Sequence, residues 1–289
     1  MWPTESLTRQ WSRLKNYSST GIGHRLVSSR AEDQYIVSYP RSGSTWLRTI
    51  LVNLLDPQAN SDPDVFNARI PGVSIRNAKR INLLPSPRLI KTHSGFRPGL
   101  SRVLYIVRDG RDALSSHYHY ATVRQGHQQS LAEFFSDYFS GVHGVTWDEH
   151  VSGWLTQGRE ALGDNLRLIR FESLKADTLN VVEEIVDFLN LNVSQQQIQD
   201  AVGTSDLDTV RRIEKSRTDV DLSNPNASFY RRGASGEADE LFDAGLRSIV
   251  MQRFSDALEL AGYQIENPRF SIVTQDRSTN DEYQTRTAS

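Results

Sequence analysis

The sequence predicts an α/β fold, a single domain in which a parallel sheet is flanked by helices on both faces. Three observations point there. Short apolar, β-branched runs recur along the chain. Helical periodicities lie between them, and strands alternating with helices predict a parallel sheet covered on both faces. At 289 residues the chain is near the size at which one core stops growing, so one domain with insertions is expected.

The first run is Gln34–Tyr39, followed by Leu47, Ile50, Leu51 and Leu54 at helical spacing, with Ser44 or Thr45 as the expected N-cap. Residues 1–33 are polar and mixed and are expected as a loosely attached arm, leaving a main domain over 34–265. Residues 56–87 carry Pro57, Pro63, Pro71, Pro85 and Pro87 and few periodic apolar positions, which predicts a loop-rich insertion. Arg88–Thr92, Arg102–Val107 and Leu166–Phe171 are the remaining strands. Residues 127–157 are aromatic-rich and expected to be helical. Val181, Val182, Ile185, Val186 and Leu189 mark an amphipathic helix, and 244–262 another. The 202–240 region reads as a long loop and 266–289 as a polar tail.

Composition narrows the function classes. Lysine and arginine number 33 against 35 acidic residues, a net charge of −2, which argues against a general nucleic-acid binder. There is no cysteine, hence no disulfide framework or thiolate metal site. The histidines at 117, 119, 127, 143 and 150 show no convincing ligand spacing, so no metal is expected. The first thirty residues lack the apolar core of a secretory signal, and no run approaches the ~18 apolar residues of a membrane span. The expectation is a cytoplasmic protein without a membrane segment; oligomeric state is left open.

The most informative stretch is YIVSYPRSGSTWLRTIL, Tyr35 to Leu51. A buried strand turning sharply into a helix aims the unpaired first N–H groups and the positive end of the helix dipole at one spot. Gly43 lets the backbone approach a ligand. Ser42, Ser44 and Thr45 add hydroxyls, and Arg41 adds a fork-shaped permanent charge. The combination suits a phosphate or sulfate. The Gly-Lys-Ser/Thr of the common nucleotide loop is absent, which weakens an ATP or GTP reading.

This loop, SYPRSGSTWL, resembles the 5′-phosphosulfate loop of sulfotransferases that use PAPS (3′-phosphoadenosine 5′-phosphosulfate). Three further segments match that family in order. LIKTHS, Leu89 to Ser94, is similar to its Lys-Thr-His strand end, which implies His93 as catalytic base and Lys91 as a stabiliser of charge on the transferred group. An imidazole titrates near neutrality and can take the proton of an attacking hydroxyl. VLYIVRDGRDALSS is similar to its 3′-phosphate motif, implying Arg108 and Ser116 as ligands, with Asp112 ordering the turn. FYRRGASGEADELF resembles its late closing loop, implying Arg231, Arg232 and the backbone of Gly233. Smaller echoes are RFESLKAD, which places Phe171 beside the nucleotide; the pair Thr204-Ser205; and WDEHVSGW, Trp147 to Trp154, on the acceptor side. The resemblance spans about residues 34–262 and implies the P-loop-like sulfotransferase fold, PAPS as sulfuryl donor without a metal, and a small-molecule acceptor.

The sequence also departs from the family's pattern. Arg41 replaces the lysine of many members. Phe171 stands where many have a tyrosine, and Asp206 where many place an aromatic residue, which leaves Trp46 as the expected adenine platform. The Asp-Trp-Lys of the late loop and the C-terminal dimer motif are missing. Two rival functions are weighed. One is a phosphoryl-transfer enzyme with Asp109 holding a metal at the end of LYIVRD; the other is a non-catalytic nucleotide-binding module. For the acceptor pocket the candidates are Phe66, Tyr118, Tyr120 and Phe135, though aromatic clusters are often simply core.

Overall fold

The computed structural model describes residues 23–59, 63–124, 129–140, 144–206, 209, 238 and 241–265. Four strands form one sheet: β1 (Gln34–Ser38), β2 (Leu89–Thr92), β3 (Arg102–Val107) and β4 (Leu166–Arg170), in the order β2-β1-β3-β4. Every pairing is parallel, with Tyr35 opposite Ile90 and Val103, and Leu104 opposite Arg167. Each predicted strand is present within one residue. The last ends at Arg170 because Phe171 already begins a helix.

Side-chain alternation along the strands splits the core into two layers. Tyr35, Val37, Val103, Tyr105 and Val107 point to one face, where Trp147, Trp154 and Phe254 cover them. Ile36, Leu104, Ile106 and Ile169 point to the other, against Leu47, Ile50, Leu51, Val182 and Ile185. The first cover comes from α4 (Gly110–His119), α5 (Leu131–Phe139), α6 (Trp147–Gly153) and α11 (Ala244–Leu260). The second comes from α1 (Ser44–Leu55), α9 (Thr178–Phe188) and α10 (Gln195–Gly203). Ile36, Leu47, Ile50 and Leu51 are fully buried, each worth about 1.5–3 kcal/mol of transfer free energy. Between β4 and α9 runs α8 (Phe171–Ala176), and before β4 a short α7 (Arg159–Leu162).

Three expectations change. Residues 56–87 are not mainly loop: α2 (Pro63–Arg69) and α3 (Ile75–Leu83) occupy much of them. The periodicity was hidden because α3 buries only Ala78 and Ile81, leaves Ile75 and Leu83 exposed, and starts on Ser74 capping Asn77 N–H. Between the two helices, Pro71–Val73 lies along the edge of β2, with Lys91 N–H donating to Pro71 O at 3.0 Å and Val73 N–H to Lys91 O at 2.8 Å. That cover closes an otherwise open edge.

Second, residues 23–33 of the supposed loose arm are packed. A single helical turn at 23–26 leads into Val27, which joins the core. Arg88 grips Asp33 through two bonds, Nε to Oδ1 at 2.6 Å and Nη2 to Oδ2 at 2.5 Å, with both side chains fully buried. Arg88 also donates to Ile81 O and Ser28 O. A buried arginine needs such saturation, and this one welds the segment to the start of β2. Third, the cap of α1 is Gly43 in the left-handed region (φ 88°), with no side-chain bond, rather than Ser44 or Thr45.

Candidate active site

The four strands all run the same way, so their carboxyl ends share one rim of the sheet. That is the place where open α/β sheets bind ligands. The turn Pro40–Gly43 leaves β1, His93 follows β2, Arg108 follows β3 and Phe171 follows β4.

The β1–α1 turn is strained to stay open. Arg41 has φ 72° and Gly43 φ 88°. An alanine at position 43 would put its Cβ 2.3 Å from Phe171 Cδ2, so only glycine allows the ring to lie under the loop. The helix that follows has no side-chain cap and no acidic residue in its first turn. Its positive end is therefore left for an external anion. α4 contrasts with it: Asp109 caps that helix through Arg111 N–H at 2.9 Å and Asp112 sits in its first turn. Ser42 Oγ is buried and meets no hydrogen-bond partner among the described residues.

Arg41 Nε donates to Ser116 Oγ at 3.1 Å, and its guanidinium lies 5.0 Å from the centre of the Tyr120 ring. Arg108 reaches back to Arg41 O at 3.4 Å and stacks 5.1 Å from the centre of the Phe171 ring. Trp147 Nε1 donates to Arg108 O, pinning the strand end. The two arginines expected to share one nucleotide are thus joined through the Arg41 carbonyl, with an aromatic wall beneath Arg108. Phe171, in place of a tyrosine, supplies that wall: it is buried, contacts the Gly43 turn, meets Arg108 and packs edge-on to Trp46 at 6.2 Å.

Trp46 is half-buried and fixed by Nε1 donating to Ser205 O at 2.8 Å. Ser205 itself is buried, with its hydroxyl donated to Ala201 O at 2.6 Å and receiving Asn53 Nδ2 at 2.9 Å. Its hydroxyl is thus committed to the protein; what it offers the site is the placement of Trp46. Thr204 is the exposed C-cap of α10. Arg231, Arg232 and Gly233 lie outside the described residues.

His93 is oriented from both sides. Nδ1 lies 2.7 Å from Ser38 O and 3.2 Å from Ser38 Oγ. A carbonyl oxygen only accepts, so the ring proton sits on Nδ1 and Nε2 carries the lone pair. Lys91 Nζ donates to Nε2 at 2.5 Å. Burial, then the Lys91 charge, hold the His93 pKa well below 6.5, against the opposing pull of the Ser38 carbonyl. The ring is therefore neutral, a competent base, at neutral pH. The Ser38 carbonyl escaped sequence reasoning, since backbone groups carry no residue signal. Behind this strand end His150 is buried, shares a hydrogen bond between its Nδ1 and Tyr105 OH at 3.0 Å, and is pushed by burial to about 3. His24, unremarked in the sequence, donates to or accepts from Thr92 Oγ1 at 2.8 Å and Ser94 Oγ at 2.7 Å.

Of the suggested acceptor residues, Phe66 and Phe135 are buried in opposite core layers, Phe66 under the Arg48 guanidinium at 3.9 Å and Phe135 against Phe242 at 5.2 Å. Tyr118 and Tyr120 are half-buried, with Tyr120 beside Arg41.

The sequence profile of the sulfotransferase domain matches residues 31–262. The chain belongs to the sulfotransferase family. Among its relatives, sulfotransferase 1 family member D1 of Rattus norvegicus is 22% identical over 255 residues, covering 80% of this chain and 82% of that one. The amine sulfotransferase of Oryctolagus cuniculus is 23% identical over 228 residues, covering 72% and 74%. The crystal structure of retinol dehydratase with androsterone and the inactive cofactor PAP superposes with a TM-score of 0.67 at 19% identity, over 84% of each chain. The shared fold agrees with the predicted one, and family membership makes the chain a sulfotransferase rather than a kinase. Asp109, the metal ligand of the kinase reading, is engaged elsewhere: it caps α4 and forms an ion pair with Arg111 at 2.5 Å. Among the described residues no helix is long and apolar enough to cross a membrane.

Proposed function

We propose that this sulfotransferase moves a sulfuryl group from PAPS to a hydroxyl, phenol or amine of a small molecule, with His93 as general base. The observation that carries the proposal is the meeting, at one rim of the sheet, of a basic Nε2 with the paired cations Arg41 and Arg108. Two anion sites at neighbouring strand ends suit a donor with phosphate groups at two positions, where ATP would use only one.

The residues fit the donor. The uncapped start of α1, the unsatisfied Ser42 hydroxyl and Arg41 offer donors to a 5′-phosphosulfate. Arg108 and Ser116, joined by Arg231, Arg232 and the Gly233 backbone from the late loop, take the 3′-phosphate. Trp46, with Phe171 and Thr204-Ser205 around it, flanks the base. When bound, PAPS supplies an activated sulfur whose bond to the phosphate oxygen breaks. His93 Nε2 takes the acceptor's proton as its oxygen or nitrogen bonds to sulfur. The acceptor then occupies the place Lys91 Nζ holds on Nε2, and Lys91 turns its charge to the sulfuryl oxygens. Arg41 stabilises the electron pair left on the phosphate; always protonated, it acts by charge and not by proton donation. The reading takes 34–265, with the packed 23–33 segment, as the catalytic unit, places the reaction in the cytoplasm, and needs no metal.

The test is direct. With PAPS and a panel of phenols, alcohols, amines and sugars, labelled sulfate should appear in product. PAP should raise the melting temperature far more than ATP at equal concentration, by mass-action linkage. Equal shifts from the two nucleotides would sink the proposal.

A further inference from the structure

The histidine at position 24 stands in a polar stretch, yet only 8% of it is exposed. Its Nε2 lies between two hydroxyls, Thr92 Oγ1 at 2.8 Å and Ser94 Oγ at 2.7 Å. Those hydroxyls lie 2.9 Å from each other, and Ser94 N–H donates to Thr92 Oγ1 at 3.2 Å. Thr92 and Ser94 are the two neighbours of His93, so one imidazole bridges the residues on either side of the base. Ser94 O is held in addition by Trp154 Nε1 at 3.0 Å.

The position of His24 is itself rigid. A Cβ on Gly23 would come within 2.7 Å of the Ser74 backbone, so the helical turn bearing His24 lies directly on the cap of α3. At the other end of the same segment, Asp33 is locked to Arg88, and Arg30 donates to Asn82 O and Leu84 O. A segment pinned at both ends can transmit its rigidity to what it touches. Removing the ring would leave Thr92 and Ser94 still bonded to each other, so no buried hydroxyl is orphaned. The first loss would be orientation of the loop rather than cohesion of the fold.

We propose that His24 is a positioning residue for sulfuryl transfer, bridging Thr92 and Ser94 so that His93 Nε2 keeps its aim at the acceptor. This rests on the reading of His93 as the base. His24 touches neither donor nor acceptor in this account; it acts through the backbone on both sides of His93. Small misplacements of a catalytic group are costly, with about 1 Å able to cost roughly 100-fold in rate.

The experiment compares wild type with His24→Ala, His24→Gln, Ser94→Ala and His93→Ala. It reads kcat, KM for PAPS, Kd for PAP by calorimetry, melting temperature, and the His93 ring resonances by NMR. His24→Ala should lower kcat about 10- to 100-fold, leave Kd for PAP within about twofold, and shift the His93 resonances. His24→Gln, whose amide reaches as far as Nε2, should recover most of the rate. Adding Ser94→Ala to His24→Ala should cost little more, since both cut one network. Unchanged kcat and unshifted His93 resonances in His24→Ala would overturn the proposal and leave His24 an anchor of the segment. So would equal losses of kcat and PAP affinity. If His24→Ala does not fold, Ser94→Ala carries the comparison: it should lower kcat, leave Kd for PAP within about twofold and shift the His93 resonances, and unchanged kcat with unshifted resonances overturns the proposal. The base assignment fails separately, if His93→Ala keeps wild-type turnover.

Discussion

His93 Nδ1 lies 2.7 Å from the Ser38 carbonyl oxygen, and this one contact decides which ring nitrogen is the base. It spans the last residue of β1 and the first after β2, so the parallel pairing of these strands sets the tautomer. His93→Ala should lower kcat by about 10²–10⁴-fold, the usual contribution of a general base, while PAP affinity stays close to wild type. Burial and Lys91 depress the His93 pKa, so its neutral form persists well below pH 6.5 and the acid limb of kcat/KM should lie below that value. Lys91→Met removes the second cause, and should move that limb upward. An acid limb at or above 6.5 in the wild type, or no movement in the variant, would contradict this assignment.

Arg41 and Ser116 form the second pair. The Nε–Oγ bond of 3.1 Å ties the guanidinium to α4. Arg41→Ala removes a charge placed where negative charge develops, and a loss of about 10²–10³ in kcat is expected. Ser116→Ala leaves the charge and loosens its aim, so its loss should be smaller. It should also be nearly absent in an Arg41→Ala background. Steady-state kinetics of the four proteins tests this; equal and additive losses would mean the serine acts independently of Arg41.

Gly43 offers a purely steric prediction. Alanine there must adopt φ 88° and meets Phe171 at 2.3 Å. The left-handed backbone alone costs about 1–2 kcal/mol. Gly43→Ala should therefore lower stability and weaken PAP binding together. Phe171→Ala in the same chain removes the clash but not the backbone cost, so rescue should be partial. Calorimetry with PAP and urea unfolding of the single and double variants would check it; no rescue at all would mean that the close approach to Phe171 is unimportant.

Much of the fold was legible because its central strands carry continuous apolar runs. Val103–Val107 and Tyr35–Val37 are buried on both faces and cannot be mistaken for surface. Helices α2 and α3 were not legible, since each covers the core with only one or two side chains and the prolines around them read as loop. The candidate site residues stood out for a different reason: Arg41, His93, Arg108 and Ser116 sit in local patterns with a chemical rationale. His24 had no such pattern. Its role comes from a contact 68 residues away in sequence, and a lone histidine in a polar stretch carries no trace of that. Phe171 shows the opposite case: the sequence marks it as a phenylalanine where many members have a tyrosine, and the structure makes it the wall beneath Gly43 and Arg108.

Asp33 and Arg88 predict a stability effect remote from chemistry. Both side chains are fully buried and joined by two bonds. Asp33→Ala strands the guanidinium in the core, and a loss of about 3–5 kcal/mol is expected. Replacing both, as Asp33→Leu with Arg88→Met, should cost much less because no charge is left behind. Urea unfolding measures each. A double variant as unstable as Asp33→Ala would show that the bonds from Arg88 to Ser28 O and Ile81 O matter more than the ion pair.

Three histidines held neutral in the native state, His24 and His150 buried and His93 half-buried, make stability fall in acid. His24 is lowered to about 4 by burial and then by Arg97, His150 to about 3 by burial, and His93 well below 6.5. Above pH 6.5 these rings are neutral in both folded and unfolded chains and contribute no pH dependence. As pH falls through 6.5 the unfolded chain takes up protons that the native chain refuses, so stability must fall. The decline from His24 continues to about pH 4 and that from His150 to about pH 3, each contributing up to about 1.4 kcal/mol per pH unit. Urea unfolding at pH 7.5, 6.0 and 5.0 should show it. His24→Gln removes one titrating group, so its stability should fall less steeply over the same range. An identical slope in that variant would mean His24 is not held neutral in the native state.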